Sequence, residues 1–226
     1  MSKVKICGLC SAEDICAVNR ALPDYIGFVF APSRRRVDIK TAAELKARID
    51  ARIKTVGVFV NETASLIESL YRSGVIDLAQ LHGDEDEAYI AGLRERTDGK
   101  QGRADGREWM GKSVRSGGQK RPPLQIIKAV SVGDTMPPLP KNADYLLFDT
   151  LSPNRGGTGV SFDWDLLKSC AGLPYFLAGG LSAQNAAKAI KTLSPYCVDV
   201  SSGVETDGVK DAAKIEAFVR LVRNCI

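Results

Sequence analysis

Two residues that end two apolar segments could form a proton-transfer pair. Cys7 ends the segment 3–7, and Asp149 directly follows the apolar segment 144–148. A strand that is buried on both faces reads as a continuous apolar run, and parallel α/β folds place their chemistry at the carboxyl ends of such strands. A thiol and a carboxylic acid at two such ends are therefore predicted to act as a base and an acid in one site.

Small residues that follow the last two apolar segments could bind a phosphate. They are Gly179 and Gly180 after one segment, and Ser201, Ser202 and Gly203 after the next. Glycine lets backbone N–H groups approach an anion, and the dipole of a helix that begins there favours negative charge. Each group alone is usually only a turn, but two groups in these positions together indicate a phosphate site.

Three further segments each have an ordinary and a functional interpretation. The arginine run 34–36 is either a solvated loop or the source of one guanidinium that binds a substrate carboxylate in bidentate fashion. His82, the only histidine, is favoured as a hydrogen-bonded structural residue over a catalytic one. The glycine-rich segment 156–159, which contains Gly157, is either a mobile lid or a merely flexible loop.

No metal or other cofactor is expected. Cys7 and Cys10 form a C-x-x-C pair, which elsewhere indicates redox chemistry or half of a zinc site. A second C-x-x-C is missing from the sequence, and a single histidine excludes a multi-histidine metal site. The six cysteines of this 226-residue chain are expected to be thiols, although a Cys7–Cys10 disulfide under oxidation stays a hypothesis.

Alternating strands and helices have to position these residues. Strand-like runs lie at 3–7, 25–30, 54–60, 75–81, 125–130, 144–148, 174–178 and 196–200. Helical patterns lie at 12–21, 42–50, 64–73, 85–96, 164–170, 183–192 and 209–224, while a helix in the proline-rich stretch 131–143 is doubtful. Ser11, Thr41 and Asp84 are among the predicted helix caps, since helix starts prefer Ser, Thr and Asp. This alternation predicts an α/β chain that forms one (β/α)₈ barrel domain over residues 1–226. A doubly wound open sheet is the alternative, weakened because no G-x-G-x-x-G follows the first strand.

Residues 97–123 interrupt the alternation with a basic, glycine-rich segment. Its seven basic and three acidic residues account for the whole net charge of +4, and it shows no apolar periodicity. It is predicted to be a flexible insertion at the amino-terminal face of the barrel. A nucleic-acid-binding module built on this segment is an alternative function. It is disfavoured because the three acidic residues reduce the positive charge, and because Trp109 is the only aromatic residue among the basic ones.

The expected location is the cytoplasm, with a small phosphorylated molecule as the partner. No apolar run approaches the ~18 residues that span a membrane, and the first residues lead directly into a strand without a signal segment. Neither a membrane nor a nucleic acid is therefore expected as a partner, and the oligomeric state is left open.

The order and spacing of these segments resemble the phosphoribosylanthranilate isomerase family over essentially the whole chain except 97–123. The matching segments are 5–8, 27–30, 56–61, 80–83, 149–150, 156–159, 162–164, 179–181 and 199–205. The resemblance implies a (β/α)₈ barrel and an Amadori rearrangement of N-(5-phosphoribosyl)anthranilate to a 1-deoxyribulose 5-phosphate in tryptophan biosynthesis. It also implies that Cys7 is the general base, that Asp149 is the general acid and that Arg36 holds the anthranilate carboxylate. Further substrate contacts are expected from His82, Gly157, Gly179, Gly180, Ser201, Ser202 and Gly203.

These roles require a protonated Asp149 and a thiolate at Cys7. Burial would help the acid, because it raises the pKa of a carboxyl. An ordinary thiol with a pKa near ~8.5 is mostly protonated at neutral pH. Lys5, roughly 6–7 Å away along the strand, is not expected to favour the thiolate easily. The cation that develops on the substrate is the better candidate to favour it.

The competing enzyme is the sister isomerase of histidine biosynthesis. That family resembles a duplicated half-barrel with an aspartate at both strand ends. Cys7 in place of an acid, and the lack of a repeat between the two halves of this sequence, count against it.

Overall fold

Eight parallel strands close into a barrel in the order β1 to β8. The structure, a computed structural model, describes residues 1–98, 121–150, 163–170 and 172–225. The strands are β1 Lys3–Cys7, β2 Tyr25–Val29, β3 Lys54–Phe59, β4 Leu78–Leu81, β5 Gln125–Val132, β6 Tyr145–Thr150, β7 Tyr175–Leu177 and β8 Cys197–Val200. The predicted (β/α)₈ barrel is therefore confirmed, and each strand overlaps one of the predicted runs.

Helices follow most of the strands in the described part of the chain, but the stretch between β5 and β6 contains none. The α-helices are α1 Ala12–Ala21, α2 Ile39–Lys46, α3 Ala64–Arg72, α4 Glu87–Thr97, α5 Ala186–Leu193 and α6 Ala212–Asn224. Ser11 caps α1 as predicted, since its hydroxyl accepts from the Asp14 N–H while the Asp14 carboxylate accepts from the Ser11 N–H. No helix in these ranges is both long and apolar enough to cross a membrane.

Three helices begin at aspartates that the sequence analysis did not choose. Asp38, Asp86 and Asp211 cap α2, α4 and α6, and each carboxylate accepts a hydrogen bond from a backbone N–H in the first turn. The predicted cap Thr41 lies inside α2, and the predicted cap Asp84 lies before the true one. Ser, Thr and Asp are similarly good helix caps, so residue type alone does not choose between neighbours. Which residue caps the helix depends on the path of the preceding loop.

Two segments differ from the predicted element type. Trp164–Cys170 is a 3₁₀ helix rather than an α-helix. The predicted last helix starts later, because Val209–Lys210 (β10) pairs antiparallel with Glu205–Thr206 (β9) in a hairpin that follows the short 3₁₀ helix Ser202–Val204. This hairpin, missed from the sequence, lies at the carboxyl end of β8, where it reaches the candidate site.

The barrel interior changes from apolar to charged towards the carboxyl ends of the strands. An inner apolar cluster fills the lower part, with members Tyr25, Val56, Leu78, Ile127, Leu147, Phe176, Ala178 and Cys197. Above it lie Lys5, Gln80 and Asp199, three buried polar residues from β1, β4 and β8. Alternate residues of a strand share a face, so Cys7 follows Lys5 towards the open end of the barrel.

Candidate active site

A cavity of about 750 Å³ lies at the carboxyl ends of the barrel strands. Seven predicted site residues line it: Cys7, His82, Asp149, Gly179, Gly180, Ser201 and Ser202. The barrel thus brings together the proposed thiol base, the proposed acid and both proposed phosphate loops from distant parts of the chain.

The other three predicted residues are placed differently. Gly157 lies outside the described residues. Gly203 packs behind the cavity wall, where an added Cβ would collide with the carbonyl oxygen of Leu181, so glycine here lets the loops after β7 and β8 approach each other. Arg36 is exposed and is not among the lining residues, which instead include Arg34 and Arg35.

Cys7 is half-buried at the end of β1. Burial raises the pKa of the Cys7 thiol, and the positive charges of Lys5 and Lys210 lower that pKa only in part. The expectation that Lys5 has little effect on the thiol is therefore corrected, since residues two apart point to the same face and Lys5 stands beside Cys7. The expectation that something further must favour the thiolate stands, because the pKa of the thiol stays raised.

Lys5 is fully buried between two partners. Its Nζ donates to Asp199 Oδ2 at 2.6 Å and to Gln80 Oε1 at 2.7 Å. Burial alone would lower the pKa of Lys5, but the facing Asp199 carboxylate outweighs that effect and raises it. Lys5 therefore remains a cation beneath the cavity floor.

Gln80 links Lys5 to His82, which in turn lies next to Asp149. Since Gln80 Oε1 accepts from Lys5, its amide nitrogen faces His82 Nδ1, 2.8 Å away, and donates to it. A neutral His82 then carries its proton on Nε2, which lies 3.4 Å from Asp149 Oδ2. A continuous chain of contacts thus runs under the cavity from Asp199 through Lys5, Gln80 and His82 to Asp149.

Asp149 lies near the end of β6, next to the loop that follows β7. Its Oδ1 accepts a hydrogen bond from the backbone N–H of Thr150 at 2.8 Å. Gly179, with φ of 82°, permits this arrangement, because a Cβ there would lie 2.5 Å from Thr150 Oγ1 and 3.3 Å from Asp149 Oδ1. Gly179 therefore makes room for the carboxyl, in addition to its predicted place in a phosphate loop.

The loop after β8 is tied to β1 and to the hairpin. Ser201 Oγ donates to the carbonyl oxygen of Cys7 at 3.1 Å, and Lys210 Nζ donates to the Ser201 carbonyl oxygen at 2.8 Å. Burial lowers the pKa of Lys210, and the Glu205 carboxylate 2.8 Å away offsets this in part. The hairpin therefore places a second cation near the thiol.

Glu205 also engages two members of the arginine run. Arg34 Nη2 lies 2.6 Å from Glu205 Oε2, and Arg35 donates to both carboxylate oxygens at 2.6 and 2.9 Å. Among the described residues, the guanidinium of Arg36 has no hydrogen-bond or ion-pair partner. Glu205 and Lys210 were missed from the sequence, because only the hairpin turns them back towards β1 and the arginine run.

Removing the charge of Lys210 is expected to raise the pKa of Cys7. Alkylation of Cys7 by iodoacetamide, which requires the thiolate, is measured in a Cys10→Ala/Cys16→Ala background. In Lys210→Gln, alkylation at pH 8 should be slower, and the pH at which the rate reaches half its maximum should move upward. Lys214→Gln is the matched control, since the Nζ of this neighbouring lysine donates, within the described ranges, only to the Glu205 carbonyl oxygen. An unmoved or lowered midpoint in Lys210→Gln would contradict this electrostatic assignment.

No metal centre is evident within residues 1–98, 121–150, 163–170 and 172–225, where no three His, Cys, Asp or Glu residues are grouped to hold an ion. The polar groups that line the cavity include one thiol, two carboxyls, one imidazole, the side chains of Arg34 and Arg35, and the two small-residue loops. This set can exchange protons with a bound molecule and hold an anion at its rim.

Comparisons with known proteins identify the family. The sequence model described as N-(5'phosphoribosyl)anthranilate (PRA) isomerase matches residues 4–100 and 117–221, and its gap falls within the predicted insertion. The N-(5'-phosphoribosyl)anthranilate isomerase of Endomicrobium trichonymphae is 46% identical over 225 residues, which cover 99% of this chain and 100% of that protein.

Solved structures agree with this assignment. The phosphoribosyl anthranilate isomerase of Thermotoga maritima superposes with a TM-score of 0.76 at 29% identity, covering 99% of both chains. A second isomerase structure, in complex with reduced 1-(o-carboxyphenylamino)-1-deoxyribulose 5-phosphate, has a TM-score of 0.73 at 27% identity and covers 99% of both chains. The chain belongs to the N-(5'-phosphoribosyl)anthranilate isomerase family and is an isomerase of tryptophan biosynthesis.

Proposed function

We propose that this isomerase carries out its Amadori rearrangement with Asp149 as the general acid and Cys7 as the general base. The observation that carries the proposal is that the two residues, from β6 and β1, line one cavity at the carboxyl ends of the barrel. A base and an acid on separate strands can act at two atoms of one bound molecule without moving the scaffold.

Asp149 acts first, by giving its proton to the ring oxygen of the phosphoribosyl group. The ring then opens to a Schiff base whose nitrogen is cationic. His82 and the Thr150 N–H hold the Asp149 carboxyl from two sides, so its orientation is fixed before the substrate arrives. Positioning of this kind, together with proton transfer worth about 10²–10⁴-fold, supports catalysis without a cofactor.

Cys7 acts second, by removing the proton from C2. The cationic nitrogen acidifies that proton and also favours a negative charge on the nearby thiol, whose pKa burial raises. The resulting enaminol becomes the ketone when C1 gains a proton and the C2 hydroxyl loses one. Lys5 and Lys210 assist by keeping the raised pKa of the thiol from rising further.

Binding of the substrate phosphate is assigned to one part of the cavity rim. The proposal places the phosphate at the loops after β7 and β8, where Gly179, Gly180, Ser201 and Ser202 line the cavity and Gly203 packs the loops together. A related isomerase has been solved in complex with reduced 1-(o-carboxyphenylamino)-1-deoxyribulose 5-phosphate, which supports a phosphorylated substrate for this chain. Gly157 and most of the insertion 97–123 stay predictions, since residues 99–120 and 151–162 lie outside the described ranges. Thr97, the first residue of the predicted insertion, is instead the last residue of α4.

Arg36 is proposed to bind the anthranilate carboxylate. Support comes from the neighbouring Arg34 and Arg35, which are already paired with Glu205, whereas the exposed Arg36 guanidinium is free to turn towards a ligand. Guanidinium and carboxylate groups match in bidentate geometry.

Arg36→Ala is expected to raise KM roughly 10- to 100-fold with a much smaller change in kcat, because a charge-assisted hydrogen bond is lost from substrate binding. Arg52→Ala is the matched control, since Arg52 is also exposed but pairs with Asp50 and does not line the cavity, and it should change KM little. Steady-state kinetics on both variants check this. An unchanged KM in Arg36→Ala would remove its carboxylate role.

The overall reaction is tested with the purified chain and freshly formed N-(5'-phosphoribosyl)anthranilate. Turnover is followed by loss of substrate fluorescence, with product identified by mass and by its keto group. A cytoplasmic location, without a nucleic-acid or membrane partner, completes the proposal and is supported by the family's biosynthetic reaction on a small molecule. Lack of turnover by the folded protein would refute the assigned roles together.

A further inference from the structure

Asp199 has one carboxylate oxygen without a partner at the floor of the cavity. The residue is 8% exposed, and it lines the same cavity as Cys7 and Asp149. Its Oδ2 accepts from Lys5 at 2.6 Å, but no donor in the described part of the chain reaches its buried Oδ1. Buried polar atoms are nearly always hydrogen-bonded, so an unpartnered one on a residue that lines the cavity requires an explanation.

The unpartnered oxygen belongs to a group that is held in place. Lys5 lies opposite Asp199 in the β1–β8 register and is itself fixed by Gln80 on its other side. Burial raises the pKa of Asp199, and the Lys5 ammonium counteracts this by favouring the carboxylate. Oδ1 is therefore an anchored acceptor that a hydrogen-bond donor of the ligand could satisfy.

The substrate can supply that donor from the atoms that react. Its phosphate and its carboxylate are assigned to the rim of the cavity, which leaves the sugar carbons between them over the floor. Asp199 is on β8, the strand next to the one that carries Cys7, and its negative charge raises the pKa of the Cys7 thiol. The hydroxyl nearest to Cys7 is the one on C2, the carbon whose proton Cys7 is proposed to remove.

We propose that Asp199 Oδ1 accepts a hydrogen bond from the C2 hydroxyl of the substrate and so orients the C2–H bond towards Cys7. This inference rests on the proposed role of Cys7 as the base. C2 carries a hydrogen, a hydroxyl, C1 and C3. When the phosphate tail holds C3 and Asp199 holds the hydroxyl, the hydrogen has one remaining direction.

Such an orientation matters for proton removal. The C2–H bond must stand parallel to the π orbitals of the adjacent C=N bond, so that its electrons can enter that system as the proton leaves. A near-attack geometry of this kind supplies a large part of the rate in enzymes that use weak bases. Asp199 thereby becomes a substrate-binding residue of the known reaction, in contact with the reacting carbon's hydroxyl.

Equilibrium binding of stable ligands tests the contact. The reduced product analogue carries a hydroxyl at C2, and its 2-deoxy and 3-deoxy counterparts each lack one hydroxyl. Isothermal titration should show that the wild type binds the parent ligand roughly 10- to 100-fold more tightly than the 2-deoxy ligand, as expected for a hydrogen bond to a charged group. In Asp199→Asn, which offers an amide in place of the free acceptor, this ratio should fall to within about threefold.

A matched variant separates the contact from a general disturbance of Lys5. Gln80→Met removes the other partner of Lys5 but keeps Asp199 Oδ1, so it should retain the wild-type ratio. The proposal is overturned if the wild type binds the parent and 2-deoxy ligands equally, if only the 3-deoxy ligand loses affinity, or if Gln80→Met loses the ratio as Asp199→Asn does.

The wild type alone gives the answer if Asp199→Asn does not fold. A 2-fluoro ligand places an atom that cannot donate against the carboxylate, so it should bind more weakly than the 2-deoxy ligand, and tighter binding would overturn the proposal. Since all readouts are equilibrium affinities, a wrong catalytic role for Cys7 or Asp149 would appear in the turnover of their own variants and leave these ratios unchanged.

Discussion

Cys7→Ala is expected to lower kcat by about 10²–10⁴-fold, the range that a positioned general base contributes. The thiol is the group that lies between Lys5 and the open cavity, and no second thiol is among the lining residues described. Since only the sulfur atom of a half-buried side chain is removed, the barrel should remain folded. Turnover is measured by substrate fluorescence, and folding by circular dichroism and thermal unfolding.

Cys10→Ala is the matched control for this variant. Cys10 is exposed three residues further along the chain and does not line the cavity, so its loss should leave kcat within about twofold, as for ordinary surface substitutions. Near-normal kcat in folded Cys7→Ala would show that another group removes the C2 proton.

Asp149→Asn is expected to lower kcat by a similar factor of about 10²–10⁴. The amide has the shape of the carboxyl, and its oxygen can keep the hydrogen bond from the Thr150 N–H, but it cannot supply an acidic proton to the ring oxygen. The loss should therefore appear in kcat and in kcat/KM together, while binding of the reduced product analogue changes much less.

Asp134→Asn serves as its control. Asp134 is an exposed aspartate that follows β5, at the same end of the barrel, and it does not line the cavity. Its replacement should leave both constants near wild type. If Asp149→Asn kept its kcat and lost only affinity, Asp149 would be a binding residue rather than the acid.

The fold, and the placement of Cys7 and Asp149 in one cavity, could be predicted because both depend on local sequence. Cys7 and Asp149 are chemically distinctive residues at the ends of apolar runs, and parallel strands bring such ends together whatever the loops do. The alternation of these runs with helical segments was enough to predict the barrel.

Other features of the site, such as the pairing of Glu205 with the arginine run and the position of Lys5 beside Cys7, could not be predicted because they depend on tertiary contacts. Three adjacent arginines look equivalent in the sequence, and only Glu205, returned by the hairpin, distinguishes Arg34 and Arg35 from Arg36. Distance along β1 suggested that Lys5 was remote from the thiol, although alternation places both on one face. A lysine inside a buried strand was the available signal, since lysine is almost never buried without a partner.

Helix starts show the same limit on a smaller scale. Ser11 was placed correctly because the Asp14 that follows at the third helical position completes a capping box with it, which marks the start of α1. Asp38 and Asp86 were missed because another plausible cap stood within three residues. The exact turn at which a helix begins depends on the loop that precedes it.

The most direct test of the proposed mechanism is the kinetic isotope effect on kcat/KM for substrate deuterated at C2, measured in wild type, Cys7→Ser and Asp149→Asn. A hydroxyl is a much poorer base than a thiol, so Cys7→Ser should make C2–H cleavage more nearly rate-limiting and increase the isotope effect. Asp149→Asn should slow ring opening instead and reduce the effect towards one. A reduced effect in Cys7→Ser, or an increased one in Asp149→Asn, would contradict the assignment of Cys7 as base and Asp149 as acid.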